Sequence, residues 1–208
     1  MISKRIKEIV KLVPPYRRIC DVGCDHGYLV MEAFDQGLID FAQLVDNKEM
    51  PLLSAKSNLK DYNKDSYELS LSNGISELRS DIPCVCILGM GGVLICDILK
   101  DTKKRTNIKR LILQPNKNSF EVRCFLMENG YKITFEEIIY DKKYYEVIVA
   151  EVGTSNYSNL ELKYGPINLK KKSLEFKNYL EYKISLLKRI NNKKVLEKIK
   201  EMEDLLWK

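Results

Sequence analysis

The feature that most constrains the fold of this chain is its alternation of short apolar runs with helical patterns. The runs read as strands and lie at 18–23, 41–46, 67–71, 84–88 and 110–113. Segments with apolar residues at helical spacing separate most of them. Because strands that alternate with helices form a right-handed parallel sheet, the sequence predicts a doubly wound α/β fold.

Two more strands, at 133–139 and 144–151, follow with only a short turn between them. There is no room for a crossover helix, so they are predicted to form a hairpin that adds an antiparallel strand at one edge of the sheet. Such an ending is typical of the Rossmann-like sheet of class I methyltransferases. Dehydrogenase sheets more often end with another parallel crossover.

The positive charge of the chain is confined to its C-terminal part. Residues 1–153 carry 22 basic and 22 acidic side chains, whereas residues 154–208 carry 13 and 7. After a polar linker at 154–159, two Lys-rich amphipathic helices are predicted at 169–187 and 195–206, forming an antiparallel hairpin. We therefore divide the chain at residue 153 and expect the basic hairpin to meet a polyanion, although a solvated helix face is the simpler alternative.

Composition excludes several classes of protein. The six cysteines form no C-x-x-C pair and there is one histidine, which argues against a metal site and for reduced thiols in the cytoplasm. The longest apolar run, 83–96, is interrupted by three glycines and is too short to span a membrane. A monomer is slightly favoured, with the oligomeric state left open.

A turn with two acidic residues follows the first strand, in the stretch CDVGCDHGYL at 20–29. Gly23 permits a tight turn, and Gly27 lets the next helix approach the sheet or a ligand. The G-x-G-x-x-G dinucleotide fingerprint is absent. Asp21 and Asp25 flank the turn instead, which suits a ligand with a cationic end, such as S-adenosylmethionine (SAM). The alternative is a helix-capping turn.

Polar residues also follow the next two strands. Asp46 ends the second strand, with Asn47 beside it, where a carboxylate can accept both hydroxyls of a ribose. Asn73-Gly74 follows the third strand, where the amide can bind an adenine edge. Taken singly, these residues are equally consistent with a helix N-terminal acid and a plain turn. Because the strand ends adjoin, together they predict a nucleotide-type site.

The buried fourth strand is followed by GMGG at 89–92, whose glycines let Gly89 and Met90 line a cleft against a flat ligand. A simple turn into the next helix is the alternative. Many amino-group methyltransferases have an Asn/Asp-Pro-Pro-aromatic motif at this place to hold an exocyclic amine. Its absence favours a ring nitrogen as the target.

The chain resembles the bacterial tRNA (adenine-22-N1)-methyltransferases, the TrmK family, over nearly its full length. The resemblance depends on DVGCDHGYL at 21–29, Asp46 followed by P-x-x-SAK at 51–56, GMGG at 89–92, LILQPN at 111–116, Tyr145-Glu146 and the C-terminal helices. Two residues depart from the family pattern. Asp46 replaces the usual Glu, and Asn73 replaces the usual Asp, which removes a charge beside the cofactor.

The resemblance implies transfer of a methyl group from SAM to N1 of an adenine in tRNA. Asp21, Gly23, Asp25, Asp46 and Asn73 would contact SAM, and the helical hairpin would help to hold tRNA. The alternatives are a methyltransferase of the same fold that acts on DNA, protein or a small molecule, a non-catalytic RNA-binding protein, and a nicotinamide dehydrogenase.

Two catalytic residues are expected. Because methylation makes the adenine ring cationic, a carboxylate at Asp25 would stabilise the developing charge. His26 would act in its neutral form, since an imidazolium would oppose that charge. A turn residue that packs under the helix is the alternative for His26.

Overall fold

The computed structural model describes residues 2–190 and 192–206, and its central element is a seven-stranded sheet. The strands are β1 (Arg18–Val22), β2 (Phe41–Asp46), β3 (Tyr67–Leu71), β4 (Cys84–Gly91), β5 (Arg110–Lys117), β6 (Tyr131–Asp141) and β7 (Lys143–Val152), in the order β3-β2-β1-β4-β5-β7-β6. The first five pair in parallel, which confirms the doubly wound sheet. The antiparallel strand β7 was predicted at an edge but lies between β5 and β6.

Helices cover both faces of the sheet. They are α1 (Lys4–Val10), α2 (Tyr28–Asp35), α3 (Glu49–Asn58), α4 (Gly92–Ile98), α5 (Thr102–Arg105), α6 (Ser119–Glu128), α7 (Asn159–Tyr164), α8 (Pro166–Lys171), α9 (Leu174–Leu187) and α10 (Lys193–Leu205). One apolar core joins α1, α2 and α3 to the sheet, and a second joins α4 and α6 to the opposite face. The strands between them are buried on both sides, which explains their continuous apolar runs.

Strands β4 and β5 both run beyond their predicted ends. The predicted end of the fifth strand at residue 113 was wrong, because β5 continues through Gln114-Pro115-Asn116 to Lys117 beside an extended β4. The pairing shifts register between Leu88 and Met90. Such an irregularity tolerates a proline, which has no N–H to donate to the ladder. The last residues of β4 and β5 therefore extend, still paired, beyond the ends of β1 and β2.

The predicted polar linker is non-helical through Ser158, and two short helices follow it where none was predicted before residue 169. Ser158 and Glu161 form a capping box that begins α7, and Pro166 begins α8. The single helix predicted at 169–187 is also divided, because Lys172 adopts a left-handed conformation and Ser173 caps α9. Helices α9 and α10 pack on each other through a third apolar cluster around Phe176.

A buried arginine joins this C-terminal segment to the sheet. Arg123, on α6, is fully buried and donates to Glu136 at 2.7 Å and to Glu146 at 2.9 Å. The second oxygen of Glu136 accepts the backbone N–H of Ile167 at 2.9 Å, and Glu146 accepts the hydroxyl of Tyr179 at 2.5 Å. The packing of α8 and α9 therefore completes the hydrogen bonding of charges that lie inside the protein.

We predict that Arg123→Met lowers the free energy of unfolding by about 3–5 kcal/mol, because it leaves two carboxylates buried without their cation. Arg17→Met is the matched control, since Arg17 pairs with Asp40 on the exposed surface, where such a pair contributes about 1 kcal/mol or less. Urea denaturation measures both values. Equal losses in the two variants would show that the buried network does not determine stability.

Candidate functional site

The polar residues predicted at the strand ends lie around two adjoining cavities. The larger, of about 730 Å³, opens beyond β1, β2 and β4, where the strand order reverses between β1 and β4. The smaller, of about 380 Å³, lies toward β3 and is lined by Asn73 and Gly74. The residues common to both walls are Gly23, Asp46, Asn47 and Met90. The two cavities are therefore two lobes of one elongated site.

The turn after β1 is built from left-handed residues. Gly23 has a φ of 74° and Asp25 a φ of 48°. The backbone N–H of Gly23 donates to the carbonyl of Val45 at 2.8 Å, which fixes the turn against β2. A Cβ atom added to Gly23 would lie 2.1 Å from Cε of Met90. The left-handed backbone requires glycine here, whereas the flexible end of Met90 could move to make room for a side chain.

Asp21 is the buried charge of the site, with 4% of its surface exposed. Burial raises the pKa of Asp21 to about 7; Arg5 opposes the shift, while Asp25 and Asp46 add to it. Three neighbouring carboxylates with one nearby arginine favour a cationic ligand. A cation bound here would stabilise the charged form of Asp21 more than that of the other two carboxylates, because Asp21 is the buried one.

Asp25 and His26 lie at the mouth of the larger lobe. Their side chains are 75% and 45% exposed, and Nε2 of His26 is 3.6 Å from Oδ1 of Asp25. Nδ1 of His26 is 2.5 Å from the hydroxyl of Ser54, and Asn58 donates to the His26 carbonyl at 3.0 Å. The residue is therefore anchored to α3 while its imidazole borders the opening.

The other predicted residues have different surroundings. Oδ1 of Asp46 accepts the backbone N–H of Lys48 at 3.0 Å. Gly89 lines the larger lobe. Gly27 does not line either lobe; an added Cβ would lie 3.1 Å from Leu44 and 3.2 Å from Ala55, so this glycine serves the packing of α2 and α3 against the sheet.

One wall of the larger lobe was not predicted as part of the site. The guanidinium of Arg5 donates to Gln114, Gln114 donates to Asn116 at 3.1 Å, and Asn116 donates to the carbonyl of Gly89 at 2.5 Å. Arg5 also lies over the ring of Tyr145, 4.8 Å from its centroid. This relay fixes the orientation of the Asn116 amide. The available signal was the polar pair Gln114 and Asn116 directly after an apolar strand.

Two absences concern only residues 2–190 and 192–206. Within these ranges, no group of three or more histidine, cysteine or acidic residues is placed to hold a metal ion. No helix in the same ranges is long and apolar enough to cross a membrane.

This fold and site have close counterparts among known proteins. Residues 2–148 match the family described as a methyltransferase domain, which together with the sheet order defines a class I methyltransferase. The chain is 32% identical over 185 residues to the tRNA (adenine(22)-N(1))-methyltransferase of Bacillus subtilis, covering 84% of this chain and 78% of that protein.

Among the solved structures that match the whole chain are two that have a bound cofactor or cofactor product. A Streptococcus pneumoniae protein, a putative tRNA (m1A22) methyltransferase in complex with S-adenosyl-L-methionine, is 31% identical with a TM-score of 0.93, and both chains are covered completely. TrmK of M. capricolum, in complex with S-adenosyl-homocysteine, is 27% identical with a TM-score of 0.86 and complete coverage of both chains. The present chain belongs to the TrmK family of tRNA (adenine(22)-N(1))-methyltransferases.

The raised pKa of Asp21 predicts a pH-dependent stability. The folded state holds this proton up to about pH 7 and the unfolded state releases it near pH 4, so the stabilisation is complete below pH 4 and is lost as the pH rises to about 7. Relative to Asp21→Asn, the wild type should lose about 2–3 kcal/mol of unfolding free energy between about pH 5 and pH 8. Urea titrations at several pH values measure this difference.

Asp61→Asn is the control, because Asp61 is exposed and lies outside both lobes. Its difference from the wild type should stay constant over the same pH range. A constant difference for Asp21→Asn as well would mean that Asp21 is ionised throughout and that its burial has no such effect.

Proposed function

We propose that this protein transfers a methyl group from SAM to N1 of adenine 22 in tRNA. The observation that carries the proposal is the buried Asp21, set with Asp25 and Asp46 where β1 and β2 end. This acidic lobe suits a cation, and its continuation toward Asn73 suits a nucleoside. The choice of adenine 22 follows from the named activity of the Bacillus subtilis relative.

The side chains fit SAM in a definite orientation. Asp21 and Asp25 would hold the cationic amino-acid end in the larger lobe, because both carboxylates face the turn around Gly23. Asp46, which borders both lobes, would accept hydrogen bonds from the ribose hydroxyls. Asn73 would bind the adenine edge in the smaller lobe.

Small residues complete this orientation. Gly23 and Gly74 are left-handed and keep the backbone close to the ligand, Asn47 and Met90 border both lobes, and Gly89 lines the larger one. A Cβ added to Gly74 would lie 2.8 Å from the side chain of Ile98, so a larger residue would disturb the smaller lobe.

The reaction needs alignment more than activation. Bound SAM supplies an electrophilic methyl group on a sulfonium. Adenine N1 carries an in-plane lone pair, so no residue has to remove a proton before it attacks. The base must leave its stack to present this edge, and the mouth bordered by Asp25 and His26 admits it.

Asp25 would then act on the developing charge. In the free protein water screens its carboxylate, and an adenine in the mouth would exclude that water. The positive charge that the ring acquires would thus be stabilised more strongly in the transition state than before it. A neutral His26, held by Ser54, would add no positive charge beside Asp25.

The C-terminal unit, 154–208, supplies the contact with tRNA in this proposal. It carries the whole positive excess of the chain, which would bind phosphates on the folded RNA and make affinity fall with salt. A single chain lines both lobes, so we propose a monomer. Its substrate and its unpaired cysteines suit the cytoplasm.

The activity is tested with purified protein, SAM and unmodified tRNA that has adenine at position 22. Nucleoside mass spectrometry should detect 1-methyladenosine, and the same tRNA with guanine at position 22 should give none. Product from the guanine-22 tRNA would mean that another adenine is the target. No 1-methyladenosine from either tRNA would contradict the proposal.

Asp46 and Asp25, which both line the larger lobe, should affect different steps. Asp46→Ala should weaken SAM binding by about 1.5–3 kcal/mol, because hydrogen bonds to a charged acceptor are lost. Asp25→Asn should lower kcat about tenfold while the KM for tRNA changes little, as expected for an interaction that strengthens in the transition state. Calorimetry gives the first value and steady-state kinetics the second.

Asp61→Ala serves as the control for both measurements, since Asp61 lies outside the site. Unchanged SAM affinity in Asp46→Ala would remove Asp46 from the site. If Asp25→Asn raised only the KM for SAM, Asp25 would be a binding residue without a role in the chemical step.

A further inference from the structure

A third cavity, which the proposed reaction does not use, lies beside the site. It has a volume of about 790 Å³ and is enclosed by the β5–α6 turn, β7, α7, α9 and α10. The sheet and the C-terminal unit thus both contribute to its walls. A ligand in this cavity would contact both parts at once.

Asn116 connects this cavity to the larger lobe, because it lines both. Tyr145 and Glu146 are consecutive on β7, so their side chains point to opposite faces of the sheet. Tyr145 lines the larger lobe and Glu146 the third cavity. The third cavity therefore lies across the edge of the sheet from the lobe that would admit the target adenine, with Asn116 at the crossing.

The charges in the walls favour an anion. Five lysines and four glutamates line the cavity, and Arg123 neutralises Glu146 from inside the protein. Glu201 already pairs with Lys163 at 2.7 Å. The remaining carboxylates are Glu121 and Glu197.

Among the described residues, four of the five lysines have no such partner, and one of these, Lys183, donates instead to the hydroxyl of Tyr179 at 3.0 Å. Lys117, Lys194 and Lys198 make no ion pair within the part of the chain that the structure describes. Lys194 and Lys198 are four residues apart on α10, so both project from the same side of that helix into the cavity. Two adjacent ammonium groups on one helix face suit a phosphate.

An aromatic side chain borders the same space. Phe120, in the first turn of α6, is 37% exposed and lines the cavity. An exposed aromatic ring beside unpaired lysines is the combination that binds single-stranded nucleic acid, since the ring stacks on a base while the cations hold the backbone. A free phosphate would make no use of the ring.

We propose that this cavity binds the nucleotide next to the target adenosine, with its phosphate at Lys194 and Lys198 and its base against Phe120. The proposal depends on the proposed function, because it needs tRNA as the substrate. An RNA strand whose adenine enters the larger lobe would pass over Asn116 and place its neighbour here. The contact would help to keep the target base out of its stack, because the larger lobe would bind that base while the third cavity binds its neighbour.

The test is a cycle of protein and RNA changes, with the full chain and substrate tRNA. The RNA carries an uncharged methylphosphonate in place of the phosphate on the 5′ or 3′ side of the target. The K194Q/K198Q double variant should bind unmodified tRNA about 3- to 30-fold more weakly, and the slope of log affinity against log salt should become shallower by about 1. One of the two methylphosphonates should weaken tRNA binding by the wild type to a similar extent. The same substitution should not weaken binding by the double variant any further.

The matched control is K193Q/K200Q, which removes the same charge from the same helix. Lys193 and Lys200 do not line the cavity, so this variant should keep its sensitivity to the methylphosphonate. A second modified tRNA lacks the base of the nucleotide next to the target. The wild type should bind this tRNA more weakly than unmodified tRNA, whereas Phe120→Ala should bind both equally. If both methylphosphonates weaken tRNA binding by K194Q/K198Q as much as by the wild type, the cavity does not hold a flanking phosphate.

The readout of this cycle is affinity, so it does not require turnover. Wild-type protein that makes 1-methyladenosine but shows additive effects in the cycle would overturn this inference alone. Wild-type protein that makes no 1-methyladenosine would instead contradict the proposed function.

Discussion

All parallel strands of a sheet end at one edge, and in this protein the chain turns in opposite directions after β1 and β4. The two connections separate and leave a crevice that no helix fills. The carboxyl ends of β1 and β2 bring Asp21 and Asp46 to that crevice, and the turn after β3 brings Asn73. The position of the site is therefore a consequence of strand order, and the side chains decide only what the crevice binds.

The side chains place a carboxylate where burial disfavours its charged form. Asp21 lies inside the edge of the sheet, where burial and two other carboxylates raise its pKa to about 7. An arginine close enough to neutralise it would remove this cost and also the attraction for a cation. Arg5 opposes the shift but donates its hydrogen bond to Gln114, so it offsets only part of the cost and the lobe keeps its attraction for a cation.

The strand pattern and the acidic turns were predictable, because burial on both faces and a left-handed turn each require particular residue types over a few positions. The wall formed by Arg5, Gln114 and Asn116 was not, since it brings together residues that are far apart in sequence. The same holds for Arg123, whose partners lie on three other elements, β6, β7 and α7. Helix α7 was missed for a different reason: its six residues are too few for a clear helical period, and the available signal was the capping box formed by Ser158 and Glu161.

The buried arginine has a consequence for how the protein is made. A chain leaving the ribosome has synthesised the entire sheet once Val152 has emerged, yet Glu136 and Glu146 still lack the partners that Ile167 and Tyr179 will provide. The catalytic half of a nascent or prematurely ended chain would therefore carry an incompletely bonded charge cluster in its interior. Completion of the fold waits for the segment proposed to recognise tRNA, so a catalytic fragment without its targeting part would be poorly stable and open to proteolysis.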